Sequence, residues 1–223
     1  MERTTFDIAE HKSVSLPRRS FLYVLGTGAL FLGTGSIVEK MLGSSVVGEA
    51  TGLGGYHLYS VSGGFPVVKP NQYELRISGL VRKPMTLSLD DLYRMNQTSI
   101  DSTFQCVTGW EVKNQVFSGV SLASLVAQSE PLSFARFLKF TSFDHVYTES
   151  LSLSQPEFHK SIVTTHMNGS TLSLGHGFPV RLFVPGNYGY KSIKWLSGIE
   201  LVETDEQGYW EQYGYPVNAQ IPT

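Results

Sequence analysis

The sequence predicts one strand-rich α+β domain, with short helices and long connecting loops, over residues 51–223. Three observations carry this prediction. Several short stretches alternate between apolar and polar residues, which is typical of strands with one buried face. Short apolar stretches follow serines that can cap helices. No internal repeat or low-complexity tract divides residues 51–223, so we expect a single domain.

The first half of this domain is predicted to hold one clear strand and two short helices. Residues 73–81 alternate and form a strand that ends at Gly79. Ser88 is placed to cap the helix "SLDDLYRM", with Asp91 at the capping-box position three residues later. A second short helix, "SLASLVAQ", is predicted to be capped by Ser121.

The second half is predicted to contain more strands. A third helix is expected to begin at a Ser154 cap, with Pro156 in its first turn. Asn168 and Gly169 form the dipeptide that most strongly indicates a tight hairpin. The remaining predicted strands cover residues 136–151, as a pair around a turn at 142–145, then 178–185 and 196–203.

Residues 1–50 are predicted to be an export signal or a membrane anchor. Arg18 and Arg19 precede an uncharged stretch at residues 20–38, which resembles a twin-arginine export signal. Nineteen residues of helix would rise about 28 Å, close to the hydrocarbon thickness of a bilayer. The same stretch could therefore stay in place as an anchor, and both interpretations remain open.

Composition excludes several functional classes. The formal net charge is -2, whereas binding of a nucleic-acid backbone needs a concentrated basic face, so no nucleic-acid partner is expected. A single cysteine excludes an internal disulfide and the usual multi-cysteine zinc sites. No dinucleotide-binding fingerprint follows a strand, which argues against a flavin or nicotinamide enzyme. Tyr and Trp are concentrated towards the C-terminus, where we expect function to lie.

Cys106, in "TFQCVTGWEV", is the residue whose role most needs an explanation. The residues alone leave two interpretations open. A lone buried cysteine is commonly inert packing, but a thiolate is also a soft ligand suited to a metal. Gly109 would permit an unusual turn after the cysteine, and Trp110 is expected to pack.

Three stretches resemble, in order, the molybdopterin-binding domain of the sulfite oxidase superfamily. They are "GYHLYSVSGGFP", "FQCVTGWEV" and the segment of residues 176–203 that begins "HGFPVRLFVP". The resemblance covers most of residues 55–215 and includes the closing "GYWEQYGY". The chain is most similar to short bacterial members related to the catalytic subunit of periplasmic methionine sulfoxide reductase.

The resemblance implies a molybdenum–molybdopterin cofactor with the Cys106 thiolate as the metal ligand. Arg181 is implied at the cofactor phosphate. The residues alone say only that a lone arginine in an apolar strand needs an anion, either a phosphate or an internal carboxylate. Lys194 and the backbone of Ser192 and Ile193 match the family's cofactor-binding loop.

Further polar residues are implied at the cofactor. His176 stands where relatives have a polar pterin contact, and Ser142, or its neighbour Thr141, stands near a small-hydroxyl position. Lys191 is either a second loop contact or a plain surface lysine. Four residues match an N-terminal pterin-contacting segment loosely, and any two of them are expected to be correct: Tyr56, His57, Tyr59 and Ser60.

Two-electron oxygen-atom transfer on a small-molecule substrate is the implied reaction. Tyr188 and Tyr190 are expected to line the substrate pocket, with packing at its rim or in the core as the alternative. Arg136 and Arg181 are the only arginines after Cys106, too few for the arginine cluster that sulfite oxidation calls for. We therefore expect reduction of an S- or N-oxide. Sulfite-type oxidation and a metal-free exported binding module are the alternatives.

The electron source is expected to be a separate protein, because no C-x-x-C-H haem-attachment motif occurs in the chain. A membrane-bound haem protein or a quinone-linked subunit would suit this role. The paired arginines predict export by the twin-arginine route, so we expect a periplasmic protein that residues 20–38 could anchor.

Overall fold

The computed structural model describes residues 55–222, so the predicted export signal or anchor at residues 1–50 lies outside the described residues. Within residues 55–222, no helix is long and apolar enough to span a bilayer. The strands of this range are β1 Glu74–Gly79, β2 Met85–Ser88, β3 Gln97–Gln105, β4 Glu111–Ser121, β5 Phe137–Ser142, β6 Thr148–Ser152, β7 Ile162–Met167, β8 Ser170–Thr171, β9 Arg181–Phe183 and β10 Leu196–Val202. Its α-helices are α1 Leu89–Arg94, α2 Leu122–Gln128 and α3 Pro156–Lys160.

These strands form two sheets of five strands each. The first has the order β2-β1-β10-β5-β6, in which β1 and β10 are parallel and the other pairs are antiparallel. The second has the order β3-β4-β7-β8, and β9 also pairs with β7. This architecture confirms the predicted strand-rich α+β fold.

The helix caps follow the local sequence closely. Ser88 caps α1 and forms the complete predicted capping box with Asp91, whose pKa is lowered to about 2 mainly by its hydrogen bonds with Ser88. Ser121 caps α2, as predicted. The predicted Ser154 cap of α3 is wrong by one residue: Gln155 stands at the cap and Pro156 begins the helix.

Strand β9 is shorter than the predicted strand over residues 178–185. Only Arg181–Phe183 pair with β7. The backbone amide of Val184 donates instead to the Ser192 hydroxyl, at 3.0 Å, so the strand ends before Pro185. This hydrogen bond joins β9 to the loop that the sequence predicts to bind the cofactor.

The sequence patterns did not predict the β3–β4 hairpin, although it contains the longest strands in the described range. Strand β3 lies at a sheet edge, and in "QTSIDSTFQ" only Phe104 is fully buried. Its apolar alternation is therefore weak. Cys106 follows β3 directly, so this hairpin positions the thiol.

Two hydrophobic clusters support the fold. The larger one joins the first sheet to the three helices and to β4, β7 and β9 of the second sheet. The smaller one lies on the second sheet and consists of Phe104, Phe117, Ile162 and Phe183. Phe117 and Phe183 stack with ring centroids 3.8 Å apart. Burial of each such side chain contributes about 1.5–3 kcal/mol, so the strand end next to Cys106 rests on a rigid support.

Candidate active site

Cys106 is held in the turn between β3 and β4. Its backbone N–H donates to the carbonyl oxygen of Trp110, at 2.9 Å, and its carbonyl accepts from Gly109, at 3.0 Å. Gly109 has φ = 96°, a left-handed conformation that favours glycine, as predicted. The Thr108 hydroxyl donates to the Cys106 sulfur at 3.2 Å. The thiol is largely buried, yet it lines a cavity.

This cavity measures about 910 Å³ with its open mouth included. Four stretches of chain contribute most of its wall: residues 56–61, the hairpin turn after β3, residues 189–190 with 192–195, and the C-terminal pair Trp210 and Tyr215. The predicted site residues that line it are Tyr56, His57, Tyr59, Ser60, Cys106, Arg181, Tyr190, Ser192, Ile193 and Lys194. Residues far apart in the sequence therefore meet at one cavity.

Arg181 is a buried cation of the cavity wall. Its guanidinium donates to the carbonyl oxygens of Ser192 and His176, at 2.9 and 3.2 Å, and lies 5.4 Å from the Phe104 ring centroid. No carboxylate of residues 55–222 pairs with it. Burial lowers its pKa to about 10. A buried guanidinium bonded only to carbonyls suits an anionic ligand.

Lys194 adds a second cation to the same wall. Its Nζ donates to the carbonyl oxygens of Tyr59, at 2.7 Å, and Gly175, at 3.1 Å. The ammonium also lies 4.5 Å from the Trp195 ring centroid. Burial, and secondarily the charge of Arg181, lower the pKa of Lys194 to about 7. A neighbouring anion would restore the charged form.

Lys191 has a different environment, and both interpretations of it from the sequence are wrong. It is neither at the cavity wall nor at the surface. Its ammonium is fully buried and forms ion pairs with Glu149, at 2.7 Å, and with Glu211. It also donates to the carbonyl oxygen of Ser150, at 3.0 Å.

His176 lies beside the cavity rather than on its wall. Its ring packs edge-on against Tyr56, with centroids 4.7 Å apart. Its Nδ1 is buried and has no partner among the described residues. Burial, followed by the charges of Arg181 and Lys194, lowers its pKa to about 4, so the imidazole is neutral near pH 7. The unpartnered nitrogen is suited to a polar contact with a ligand.

Ser142 and Tyr188 do not line the cavity either. The Ser142 hydroxyl donates to the Asp144 carboxylate and lies 3.1 Å from the Tyr147 carbonyl oxygen, so it closes the turn between β5 and β6. Asp144 and Tyr147 reach the cavity in its place. Tyr188 stacks behind Tyr190, with centroids 6.5 Å apart, and only Tyr190 reaches the wall.

Sequence reasoning missed several wall residues. They include Thr108, Asp144, Tyr147, Trp210 and Tyr215. Trp110, expected only to pack, stacks on Phe104 at 5.8 Å and also lines the cavity. The concentration of Tyr and Trp near the C-terminus was the one signal for part of this set.

The donor set fits a cofactor that brings most of its own metal ligands. Among residues 55–222, no three His, Cys, Asp or Glu side chains converge to hold a metal ion. A single thiol shares the cavity with one buried cation, Arg181, and one half-buried cation, Lys194. The unpartnered His176 nitrogen lies next to it. This combination matches a thiolate-ligated metal carried by a phosphorylated organic group.

Comparison with known proteins agrees with this description. The family model "oxidoreductase molybdopterin binding domain" matches residues 62–210. The uncharacterized oxidoreductase YuiH of Bacillus subtilis is 31% identical over 144 residues, which cover 65% of this chain and 72% of YuiH. Sulfite oxidase of Arabidopsis thaliana is 30% identical, over 69% of this chain and 48% of its own length.

A third relative and a solved structure extend the comparison. The protein-methionine-sulfoxide reductase catalytic subunit MsrP of Campylobacter jejuni is 29% identical, over 63% of this chain and 52% of MsrP. The chain thus spans about half the length of sulfite oxidase and MsrP. The sulfane dehydrogenase SoxCD of Paracoccus pantotrophus shares the fold, with a TM-score of 0.60 and 23% identity over 66% of this chain and 42% of that one. The cavity, the fold and the family match together establish that this chain belongs to the oxidoreductase molybdopterin-binding domain family and is an enzyme that uses a molybdopterin cofactor.

Proposed function

We propose that this chain is an exported molybdenum oxidoreductase that reduces an S- or N-oxide by two-electron oxygen-atom transfer, with Cys106 as the metal ligand. The observation that carries the proposal is one cavity that contains both the single thiol and two cations without carboxylate partners in the described range. When bound, the cofactor supplies the two-electron chemistry at molybdenum. The protein supplies the ligand, the anion site and the substrate wall.

The residues that hold the cofactor divide by chemistry. Arg181 and Lys194 would bind its phosphate, because both are cationic donors on the cavity wall whose hydrogen-bond partners are carbonyl oxygens. The loop residues Ser192 and Ile193 line the same wall and would contact it through their backbone. His176 would add a hydrogen bond through its unpartnered Nδ1.

The N-terminal contacts and the turn complete the proposed cofactor site. The same cavity is lined by Tyr56, His57, Tyr59 and Ser60, which would contact the pterin. Ser142 would act one step removed, because its hydroxyl holds the Asp144 carboxylate that lines the cavity.

The substrate wall favours a neutral oxide over sulfite. Tyr190, Trp210 and Tyr215 present aromatic surface to the cavity. Arg181 is the only arginine on the wall, and it is assigned to the phosphate. The Arg136 guanidinium instead donates to the carbonyl oxygens of Ser133 and Ala135, away from the cavity. A sulfite dianion would therefore lack the cationic partners that it needs.

The proposed reaction consumes two protons and two electrons for each oxide reduced and releases water. The electrons would come from a membrane-bound haem protein or a quinone-linked subunit. Tyr190 would form the wall next to the substrate, and Tyr188 would support it by stacking. Export by the twin-arginine route is proposed from Arg18, Arg19 and the uncharged stretch at residues 20–38 that follows them.

A steady-state assay of the cofactor-loaded protein tests this function. The protein would be supplied with a reduced viologen dye and either a methyl sulfoxide or an amine N-oxide. A parallel assay would offer sulfite with ferricyanide as the oxidant. We expect oxide reduction to be faster than sulfite oxidation and to be lost in Cys106→Ser, while the surface variant Lys139→Met keeps wild-type rates. Faster sulfite oxidation would favour the alternative, and a loaded protein inactive in both assays would overturn the proposal.

A further inference from the structure

Three charged side chains form a buried cluster outside the cavity wall: Glu149, Lys191 and Glu211. Each has a relative exposure of 5% or less. The Lys191 ammonium binds one oxygen of each carboxylate. The other oxygens, Glu149 Oε2 and Glu211 Oε2, are buried and have no hydrogen-bond donor among the described residues. These two atoms require an explanation, since a buried acceptor without a donor is costly.

The charges of this cluster do not balance if both carboxylates are ionised. One ammonium and two carboxylates leave a net charge of about -1 in a site closed to water, which is strongly unfavourable. Burial, reinforced by the charge of Glu211, raises the pKa of Glu149 well above its ordinary value, although Lys191 opposes the rise. One proton between the two carboxyls would neutralise the cluster and provide a donor to an unpartnered oxygen.

Among residues 55–222, no cation other than Lys191 pairs with the carboxylates of the cluster. The titratable groups packed nearest are Tyr147 and Tyr190, whose own pKa values are raised mainly by burial. Asp205 accepts a hydrogen bond from Ser150, next to Glu149, and can only add negative charge. A neutralising proton would therefore reside on the carboxyl pair.

The cluster joins three segments that build the cavity wall. Glu149 belongs to β6, two residues after Tyr147 on the wall. Lys191 is followed directly by Ser192 of the cofactor-binding loop. Glu211 follows Trp210, the C-terminal wall residue. Each member of the cluster is thus attached to a different part of the wall.

Gly208 provides an independent sign that the cluster is tightly packed. A Cβ at this position would lie 2.5 Å from Glu211 Oε2 and 2.6 Å from Glu149 Oε1. Both contacts are far below van der Waals distance. The backbone therefore approaches the carboxyls so closely that only glycine fits, and the C-terminal segment is seated directly on them.

We propose that Glu149, Lys191 and Glu211 share one buried proton and act as positioning residues, which clamp the C-terminal segment and the cofactor-binding loop onto β6. The clamp fixes Trp210 and Ser192 on the cavity wall without touching the substrate. Its effect on the cofactor rests on the proposed cavity assignment, whereas the shared proton does not.

Infrared spectroscopy tests the shared proton in the cofactor-free chain. At neutral pH, ordinary carboxyls are ionised, so a protonated, buried carboxyl should give a carbonyl stretching band that shifts in D2O. We expect this band in the wild type. Glu149→Gln should abolish it, because a single remaining carboxylate pairs fully with Lys191. A wild type without the band, or a band that persists in Glu149→Gln, would overturn the shared proton, whatever the enzyme proves to reduce.

Cofactor release tests the clamp. Lys191→Met leaves two buried carboxyls without their cation, and Lys139→Met removes the surface pair with Glu206 as the matched control. We expect Lys191→Met to release the cofactor about ten- to a hundredfold faster than wild type, the range typical of residues that position direct ligands. Glu149→Gln should rescue part of this loss in the double variant by reducing the unpaired charge. Equal release rates from Lys191→Met and Lys139→Met, both folded by circular dichroism, would overturn the clamp.

Discussion

The two lysines at this site differ in the groups that surround their ammonium charges. Lys191 and Lys194 lie three residues apart in one loop, yet Lys191 binds two carboxylates and Lys194 binds two carbonyl oxygens. A lysine paired with carboxylates is already neutralised. A lysine held only by carbonyls, next to the cation Arg181, retains the capacity to attract an anion. Lys194 is therefore the residue through which anion binding should depend on pH.

Binding of inorganic sulfate to the cofactor-free chain should weaken above about pH 7, by up to about tenfold per pH unit. The pKa of Lys194 is lowered to about 7, so the amine is neutral at higher pH, while Arg181 remains charged and sulfate remains a dianion. Calorimetric titration across this range would measure the affinity. Lys194→Met should bind sulfate weakly at every pH, and Lys139→Met should behave as the wild type. An affinity that does not change with pH in the wild type would contradict this role for Lys194.

Secondary-structure elements place the thiol against the rest of the cavity. The β3–β4 hairpin presents Cys106, and β4 pairs with β7, which in turn pairs with the strand of Arg181. The stacked rings of Phe117 and Phe183 fix this arrangement from below. Close packing of β4 on β7 is therefore a requirement of the site as well as of the fold.

Gly119→Ala should be severely destabilising, by more than about 2 kcal/mol, because a Cβ there would lie 2.0 Å from the backbone carbonyl oxygen of Val163. The strands β4 and β7 would have to separate. Urea denaturation would measure the free energy of unfolding, with Gly64→Ala as control, since a Cβ at Gly64 meets nothing within 4 Å. Equal stability of the two variants would contradict this prediction, because it would mean that β4 and β7 can separate at little cost in free energy.

Sequence patterns correctly predicted the elements that depend on interactions between residues close together in the chain. The Ser88–Asp91 capping box and the Asn168–Gly169 hairpin depend on residues no more than three positions apart, and both formed as predicted. The β3–β4 hairpin was missed because an edge strand exposes both faces and loses the apolar alternation. Strand β9 was predicted too long because its last amide bonds to Ser192, a residue of a different segment.

The candidate site likewise contains some residues that the sequence predicted and others that it could not predict. The thiol, Arg181 and Lys194 lie in recognisable sequence blocks, and all three line the cavity. The buried position of Lys191 was not predictable, because its partners Glu149 and Glu211 are distant in the chain and unremarkable by type. Tertiary pairing, rather than residue type, decides which lysine lines the cavity.

At the scale of the whole described domain, the C-terminal segment closes one side of the cavity through Trp210 and Tyr215. The Tyr190 hydroxyl donates to the Pro216 carbonyl oxygen at 2.6 Å, and the Tyr209 amide donates to the Thr148 carbonyl oxygen at 2.9 Å. The buried charges of Glu149 and Lys191 lie beneath this closure. The stability of the entire fold is therefore coupled to the proton that the carboxyls hold.

The contribution of Glu149 to the free energy of unfolding should fall as pH rises from the ordinary glutamate pKa towards its raised pKa, so the wild type should lose stability, relative to Glu149→Gln, as pH rises. The folded chain keeps a proton on Glu149 that the unfolded chain releases above about pH 4.5. This proton therefore lowers the free energy of unfolding by at most about 1.4 kcal/mol for each pH unit of increase. Urea denaturation between about pH 5 and about pH 8 would measure this slope. Glu149→Gln, which cannot titrate, should lose stability less steeply over the same range. Identical slopes would mean that Glu149 is ionised in the folded chain.

Molybdenum analysis of wild type beside Cys106→Ser tests most directly whether Cys106 binds the metal. Both proteins would be purified from a molybdenum-replete host. Mass spectrometry would give the metal content, and X-ray absorption would count the sulfur neighbours of the metal. We expect about one molybdenum per wild-type chain, and about one sulfur neighbour fewer in Cys106→Ser, since a thiolate is the soft ligand that this site offers. A well-folded wild type without molybdenum, or an unchanged sulfur count in the variant, would contradict the role of Cys106 as the metal ligand.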